Sequence, residues 1–196
     1  KIQHELAFIL QQFEAGNEVI EALKKQVDVQ EKVCMQYAMT ISKKRKAIIP
    51  SFEKEVNALL KKLGMPNAII RVQLDEQELG VHGVDKIQML FDANKSGKFE
   101  TIAKVASGGE LSRLMLAVKS LVAGKMALPT LIFDEIDTGI SGEAARQVGL
   151  LMKALAKSHQ IMTITHQPQI AAKASSHYFI FKQAQGGVIP VSYTHL

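Results

Sequence analysis

Two adjacent carboxylates, Asp134 and Glu135, close the apolar run Thr130-Leu131-Ile132-Phe133. A buried strand of this kind holds acids rigidly at its carboxyl end, where ligand sites of parallel α/β sheets gather. There one carboxylate can hold Mg²⁺ directly or through water. Its neighbour can orient or deprotonate an attacking water, the division of labour that phosphoryl transfer needs. The plain alternative is an apolar strand that simply ends at solvent. A second strand-like run, Ile161-Met162-Thr163-Ile164-Thr165, ends at His166, which taken alone is more often a structural residue. The third candidate is Ser107-Gly108-Gly109-Glu110, directly before a helical pattern. Exposed amides at a helix N-terminus bind phosphate. Ser107 and Glu110 also match a capping box, Ser-x-x-Glu, which explains them without any ligand. Capping does not explain two consecutive glycines, which weaken a helix and suggest that something must come close.

These residues need elements to hold them. From Ile2, steps of four and three pick out fourteen positions as far as Ile48. Eleven are apolar or aromatic, and Gly16, Gln30 and Lys44 break the seam. A 3.5-residue repeat over about seven heptads predicts a coiled-coil helix, with an ordinary amphipathic bundle helix as the alternative. One coiled-coil strand needs a partner, expected from another chain or from a part of the protein outside this sequence. Pro50 is expected to kink or restart the helix. Gly64, followed by Pro66, marks its end, with Lys61 and Lys62 in the last turn. The arm is therefore residues 1–64 and the second domain residues 65–196.

Beyond the arm, residues 68–74 and 86–91 read as strands. Residues 107–122 read as a helix, 130–133 as a strand, 143–157 as a helix, 161–165 as a strand, 169–174 as a helix and 178–182 as a strand. One more strand and a tail fill 188–196. Strand-helix-strand alternation predicts a parallel α/β sheet.

The joint motif set resembles the heads of the ABC-type ATPases. Lys104-Val105-Ala106-Ser107-Gly108-Gly109-Glu110-Leu111-Ser112-Arg113 is similar to their signature motif. Thr130 to Gly142 is similar to Walker B running into the D-loop. Ile164-Thr165-His166-Gln167-Pro168-Gln169-Ile170-Ala171 is similar to the switch-histidine segment. The wording within these motifs resembles the SMC-like branch that serves bacterial DNA repair. The likeness spans residues 1–182. It implies the C-terminal half of an ABC-type P-loop ATPase head, preceded by one strand of an antiparallel coiled coil. It also implies roles. Asp134 would help hold Mg²⁺, Glu135 would be the catalytic carboxylate that activates water, and His166 would sense the γ-phosphate. Ser107, Gly108, Gly109 and Glu110 would meet the ATP of an opposing head, and Asp137 would sit in the D-loop at that interface. The implied cofactors are ATP and Mg²⁺. The implied partners are DNA (double-stranded ends or single strands), the N-terminal half of the same protein, and a second head. The implied site of action is the cytoplasmic nucleoid. Gln167 departs from the pattern, standing where an apolar residue is expected, and Ser175-Ser176 replaces a usually acidic stretch.

The phosphate-cradling sequence G-x-x-x-x-G-K-[ST] is absent. Ser96-Gly97-Lys98-Phe99 and Gly124-Lys125-Met126 both fail its spacing. The chain therefore reads as a C-terminal piece that does not bind ATP well alone. Two other readings compete: the head of a different ABC or SMC-type ATPase, and a non-catalytic coiled-coil scaffold. The coiled coil before the signature argues against a transporter, and the pair Asp134-Glu135 with His166 argues against degeneration. Asp92-Ala93-Asn94-Lys95-Ser96-Gly97 copies the start of an EF-hand loop, but its twelfth position is Ala103 instead of the bidentate Glu that calcium needs.

Composition sets the outer bounds. At 196 residues, 47% hydrophobic and 22% charged, the chain has ordinary globular usage, with no Trp. No run approaches the length of a membrane helix. Cys34 is the only cysteine, which excludes intrachain disulfides and fits a reducing compartment. The net charge of +5 permits nucleic-acid contact without requiring it. The run Lys43-Lys44-Arg45-Lys46 reads first as a solvated face.

Overall fold

The computed structural model describes residues 2–104, 107–123, 129–182 and 191–195, without the side chains of 4, 5, 7–15, 182, 191–193 and 195. Val105 and Ala106 of the signature segment, Gly124-Lys125-Met126, positions 188–190 and 196 of the tail, and the seam side chains Ile9 and Phe13 lie outside the described residues. The chain forms two compact units, one of residues 1–49 with 74–87, the other of residues 50–73 with 88–196. The arm thus shares its unit with part of the segment that follows it.

A single helix, α1 (Ile2–Lys62), supplies most of the first unit and the start of the second. It does not restart at Pro50. Proline removes one N–H and so frees one carbonyl, that of Lys46 four residues back, and Lys46 is exposed, where water can satisfy it. On the seam, Leu6, Ile20, Leu23, Val27, Tyr37, Ile41 and Ile48 are all between 45% and 69% exposed. Among the described residues nothing covers these positions.

Strands β1 (Ile69–Gly80) and β2 (Gly83–Asp92) pair as a hairpin, and both are longer than the pattern of apolar residues predicts. Its tip belongs to the first unit. Gly83, at φ +91°, lies close to Ala38 of α1, where an added Cβ would come within 3.8 Å of the alanine methyl. Asp85, nearly buried, accepts from the Ser42 hydroxyl at 2.7 Å and from Arg45 Nη1 at 3.0 Å. The same Arg45 nitrogen donates to the His82 carbonyl. The Ser42 bond, helped by Arg45 and opposed by burial, holds the Asp85 carboxyl below its ordinary value. Arg45 is therefore committed to the hairpin, while Lys43, Lys44 and Lys46 stay exposed.

In the second unit α1 ends in a Schellman turn. Gly64 takes φ +81°, and the Met65 amide donates to the Leu60 carbonyl at 3.0 Å. Just before it, two side chains of α1 serve the edge of β1. Asn57 bonds both the amide and the carbonyl of Ile70, and Glu53 accepts from the Val72 amide. Polar backbone that would stand open on a sheet edge is thereby satisfied. On its other side β2 pairs antiparallel with β3 (Glu100–Thr101). In the loop between them the buried Asp92 accepts from the amides of Asn94, Ser96 and Gly97. That is a self-contained turn. Among the described residues no group of three or more His, Cys, Asp or Glu could hold a metal ion.

A short 3₁₀ turn, Ile102–Lys104, precedes α2 (Gly108–Val122). Then come β4 (Thr130–Phe133), α3 (Gly142–Leu155) and β5 (Gln160–Thr163). The two strands are parallel, with Thr130 opposite Gln160 and Phe133 opposite Thr163. The strand-helix-strand expectation is met by this unit. The buried-strand expectation for β4 is met on one face only: Leu131 and Phe133 are buried, but Ile132 is 66% exposed. On the side of the core, Leu131 and Phe133 join Leu60, Leu63, Leu114 and Val148 in one apolar cluster. Helix α4 (Pro168–Ala171) follows. Finally β6 (Tyr178–Lys182) pairs antiparallel with β7 (Val191–His195). No helix among the described residues is long and apolar enough to cross a membrane.

Candidate functional site

Parallel pairing in register sets the carboxyl ends of β4 and β5 side by side. The ladder runs one step further, where the Ile164 amide donates to the Phe133 carbonyl at 3.1 Å. Asp134 and Glu135 leave one strand where Thr165 and His166 leave the other. Both carboxylates are exposed. Asp134 Oδ1 accepts from the Glu135 amide at 2.9 Å, and the Asp134 carbonyl accepts from the Ser112 hydroxyl of α2 at 2.8 Å. Glu135 sits at φ +56°, a region that side chains other than glycine rarely adopt. Such an outlier persists only when its surroundings over-determine it.

The turn after the acids folds back on itself: the Thr138 amide bonds the Glu135 carbonyl, and the Ile140 amide bonds that of Asp137. This brings the turn against the start of α2. Ser107 caps that helix by accepting from the Glu110 amide at 3.4 Å, as the capping pattern predicts. The two glycines are explained by what touches them within the chain. A Cβ on Gly108 would overlap Glu135 Oε2. One on Gly109 would lie 3.0 Å from Thr138 Cβ and 3.1 Å from the Glu135 carbonyl. The close approach inferred from Gly-Gly is therefore made, in this chain, by the acidic turn itself.

Asp137 is buried. Its Oδ2 accepts from the Thr165 hydroxyl at 2.5 Å and the His166 amide at 2.8 Å, and lies 3.1 Å from His166 Nδ1. Burial pushes the Asp137 carboxyl upward. The Thr165 bond, the His166 amide and the His166 ring together outweigh it, leaving the group below its ordinary value. The His166 side chain is 73% exposed beyond this contact.

Three residues that the motifs did not single out for roles hold the site together. Ser112 ties α2 to the backbone of Asp134. Thr165 bridges Asp137 and the Gln167 amide. Arg113, 5% exposed, donates through Nη1 to the carbonyls of Ile136 and Thr138, the latter at 2.7 Å, and through Nε to the Met65 sulfur. Burial pulls the Arg113 pKa below its ordinary value, with Glu110 acting the other way. An arginine on the apolar face of α2, one turn after Gly109, was the one visible signal. Hydroxyl bonds to backbone leave no periodic trace.

The fold, an α/β lobe with acids and a histidine at the adjoining ends of two parallel strands beside a serine-capped helix that opens on two glycines, is that of an ABC-type ATPase head of the SMC kind. Solved structures that share it include two Smc heads. The Smc head domain with a coiled coil and joint from Pyrococcus yayanosii superposes with a TM-score of 0.53 at 20% identity, covering 88% of this chain and 33% of that one. The Smc head domain with an extended coiled coil from Pyrococcus furiosus gives 0.52 at 20% identity, covering 89% and 43%. No family model matches the chain.

By sequence the chain belongs to the RecN family. It is 41% identical over 160 residues to the DNA repair protein RecN of Rickettsia conorii, covering 82% of this chain and 29% of that protein. It is 38% identical over 183 residues to the RecN of Treponema pallidum (90% and 32%), and 36% identical over 189 residues to that of Vibrio cholerae (94% and 34%). The chain thus spans about a third of the length of these relatives.

Proposed function

We propose that this chain is the C-terminal lobe of an SMC-like ATPase head that acts in double-strand break repair and recombination. In this reading ATP lies between two heads, with the Walker A of one facing the signature segment Ser107–Glu110 of the other. The cycle of ATP binding and hydrolysis drives head dimerisation and DNA tethering in the nucleoid. The observation that carries the reading is the convergence of Asp134, Glu135 and the Asp137-held His166 on one sheet end beside the N-terminus of α2.

The residues present fit Mg²⁺ and a nucleotide. A single exposed carboxylate, Asp134, suits a cation that keeps waters and substrate phosphates as its other ligands, where an all-protein cage would need more acids. Mg²⁺ there would neutralise charge on the phosphates. Glu135 would accept the proton of the attacking water or orient it. The first amides of α2 would meet phosphate oxygens, with no Cβ at Gly108 or Gly109 to keep them away. His166, anchored through Nδ1, would turn Nε2 to the γ-phosphate.

The test is turnover with and without the missing half. This chain alone is expected to show none, and a second polypeptide carrying the Walker A half and its coiled-coil strand is expected to restore it. ATPase activity from this chain alone would sink the split-head reading. In the assembled heads, Glu135→Gln should retain ATP and trap it unhydrolysed, whereas normal turnover would remove Glu135 from the chemistry.

A further inference from the structure

Gln167, the residue that departs from the apolar pattern, holds the other end of the His166 ring. Its Nε2 lies 3.1 Å from the Ile140 carbonyl and 3.3 Å from His166 Nε2. The carbonyl can only accept, so the amide nitrogen must face it, and one NH₂ group has hydrogens for both contacts. The ring is therefore gripped at both nitrogens, by the Asp137 carboxylate on Nδ1 and by an N–H donor on Nε2. Only one arrangement of hydrogens satisfies both: Nδ1 carries the hydrogen and Nε2 presents a lone pair.

This arrangement has a chemical consequence. A phosphate oxygen that carries no proton can only accept hydrogen bonds, so it gains nothing from a nitrogen lone pair. His166 can bond such an oxygen through Nε2 only when that nitrogen bears a hydrogen, and that hydrogen would meet the N–H of Gln167 head on. Contact with phosphate and contact with Gln167 are mutually exclusive. We propose that Gln167 is a positioning residue that holds His166 in a phosphate-off state and ties the ring to Ile140 at the end of the acidic turn. The proposal rests on the reading of His166 as a γ-phosphate contact.

Nitrogen-15 NMR of the histidine rings tests it directly, with His166 assigned by His166→Ala and the pH set where the ring is neutral. In the wild-type chain we expect the Nδ1–H tautomer and an Nε2 resonance moved upfield from that of a free lone pair. In Gln167→Leu, and in Gln167→Met as a second variant of similar length, Nε2 should return to the free position while Nδ1 is unchanged. An identical Nε2 resonance in wild type and variants would overturn the positioning role. In heads assembled with the Walker A half, Gln167→Leu should lower the KM for ATP several-fold. An unchanged KM alongside a moved resonance would overturn the phosphate-off role. Full turnover by His166→Ala would instead defeat the underlying reading of His166, leaving the ring geometry to be judged by the spectra alone.

Discussion

Oε2 of Glu135 occupies the space that a Cβ on Gly108 would fill. The neighbouring glycine meets firmer atoms: a Cβ on Gly109 would lie within 3.2 Å of Thr138 Cβ, the Glu135 carbonyl and Arg113 Nη1. Two adjacent substitutions should therefore separate. For Gly108→Ala the obstacle is the far end of a flexible, exposed side chain, which can swing away, so stability should change by no more than about 0.5 kcal/mol. The displaced Glu135 should nevertheless lower turnover in assembled heads by tenfold or more. Gly109→Ala forces backbone apart and should destabilise the chain by about 1–3 kcal/mol. Urea unfolding of both variants checks the contrast, and equal losses would defeat it.

Acid should reveal the bonds to Asp137. Its folded pKa is depressed below 3.8. A depressed carboxylate contributes stability that is complete above the unfolded value, near pH 4, and is lost as pH falls through the folded value. Asp85 and Asp92 shift in the same direction and share this acid sensitivity. The informative quantity is thus the difference between wild type and Asp137→Asn. That difference should shrink as pH falls below 4 in thermal melts. A difference that grows as pH falls below 4 would contradict the assignment.

Arg113 should matter to stability without touching any ligand. Arg113→Met keeps the apolar volume but leaves the Ile136 and Thr138 carbonyls without their charged donor. A loss of about 2 kcal/mol is expected, which for a chain of this size lowers Tm by roughly 4–8 °C. Arg113→Lys should recover only part of it, since one ammonium cannot reach both carbonyls and the Met65 sulfur with the geometry of a guanidinium. Full recovery by lysine would show that charge alone suffices.

Much of this site could be read from residue order. Strand, acids and histidine announce themselves because apolar runs and their polar endings are local patterns. The parallel pairing that joins them follows from the intervening helix. What escaped were contacts made across the chain. Ser112 and Arg113 act through backbone carbonyls 22 and 25 positions away, and Thr165 through the Asp137 carboxylate 28 positions away. The glycines pointed correctly to a close approach, but residue type alone could not say whether a ligand or Glu135 made it. The apolar run of β4 suggested cover on both faces, yet Ile132, like Met162 and Ile164, is exposed, because core residues of this chain pack on one side only. Pro50 suggested an interruption that a solvent-exposed helix absorbs.

The clasp of Ser42 and Arg45 on Asp85 has a mechanical consequence. A solitary α-helix with an uncovered apolar seam frays and bends wherever thermal motion finds least resistance. From Ala38 to Arg45 the hairpin tip braces it like a splint, through Gly83 against Ala38 and the bonds of Ser42 and Arg45. The clasp thereby fixes a two-turn stretch of the arm to the chain's own hairpin, a stretch whose Ala38 and Ser42 a partner strand would find already covered.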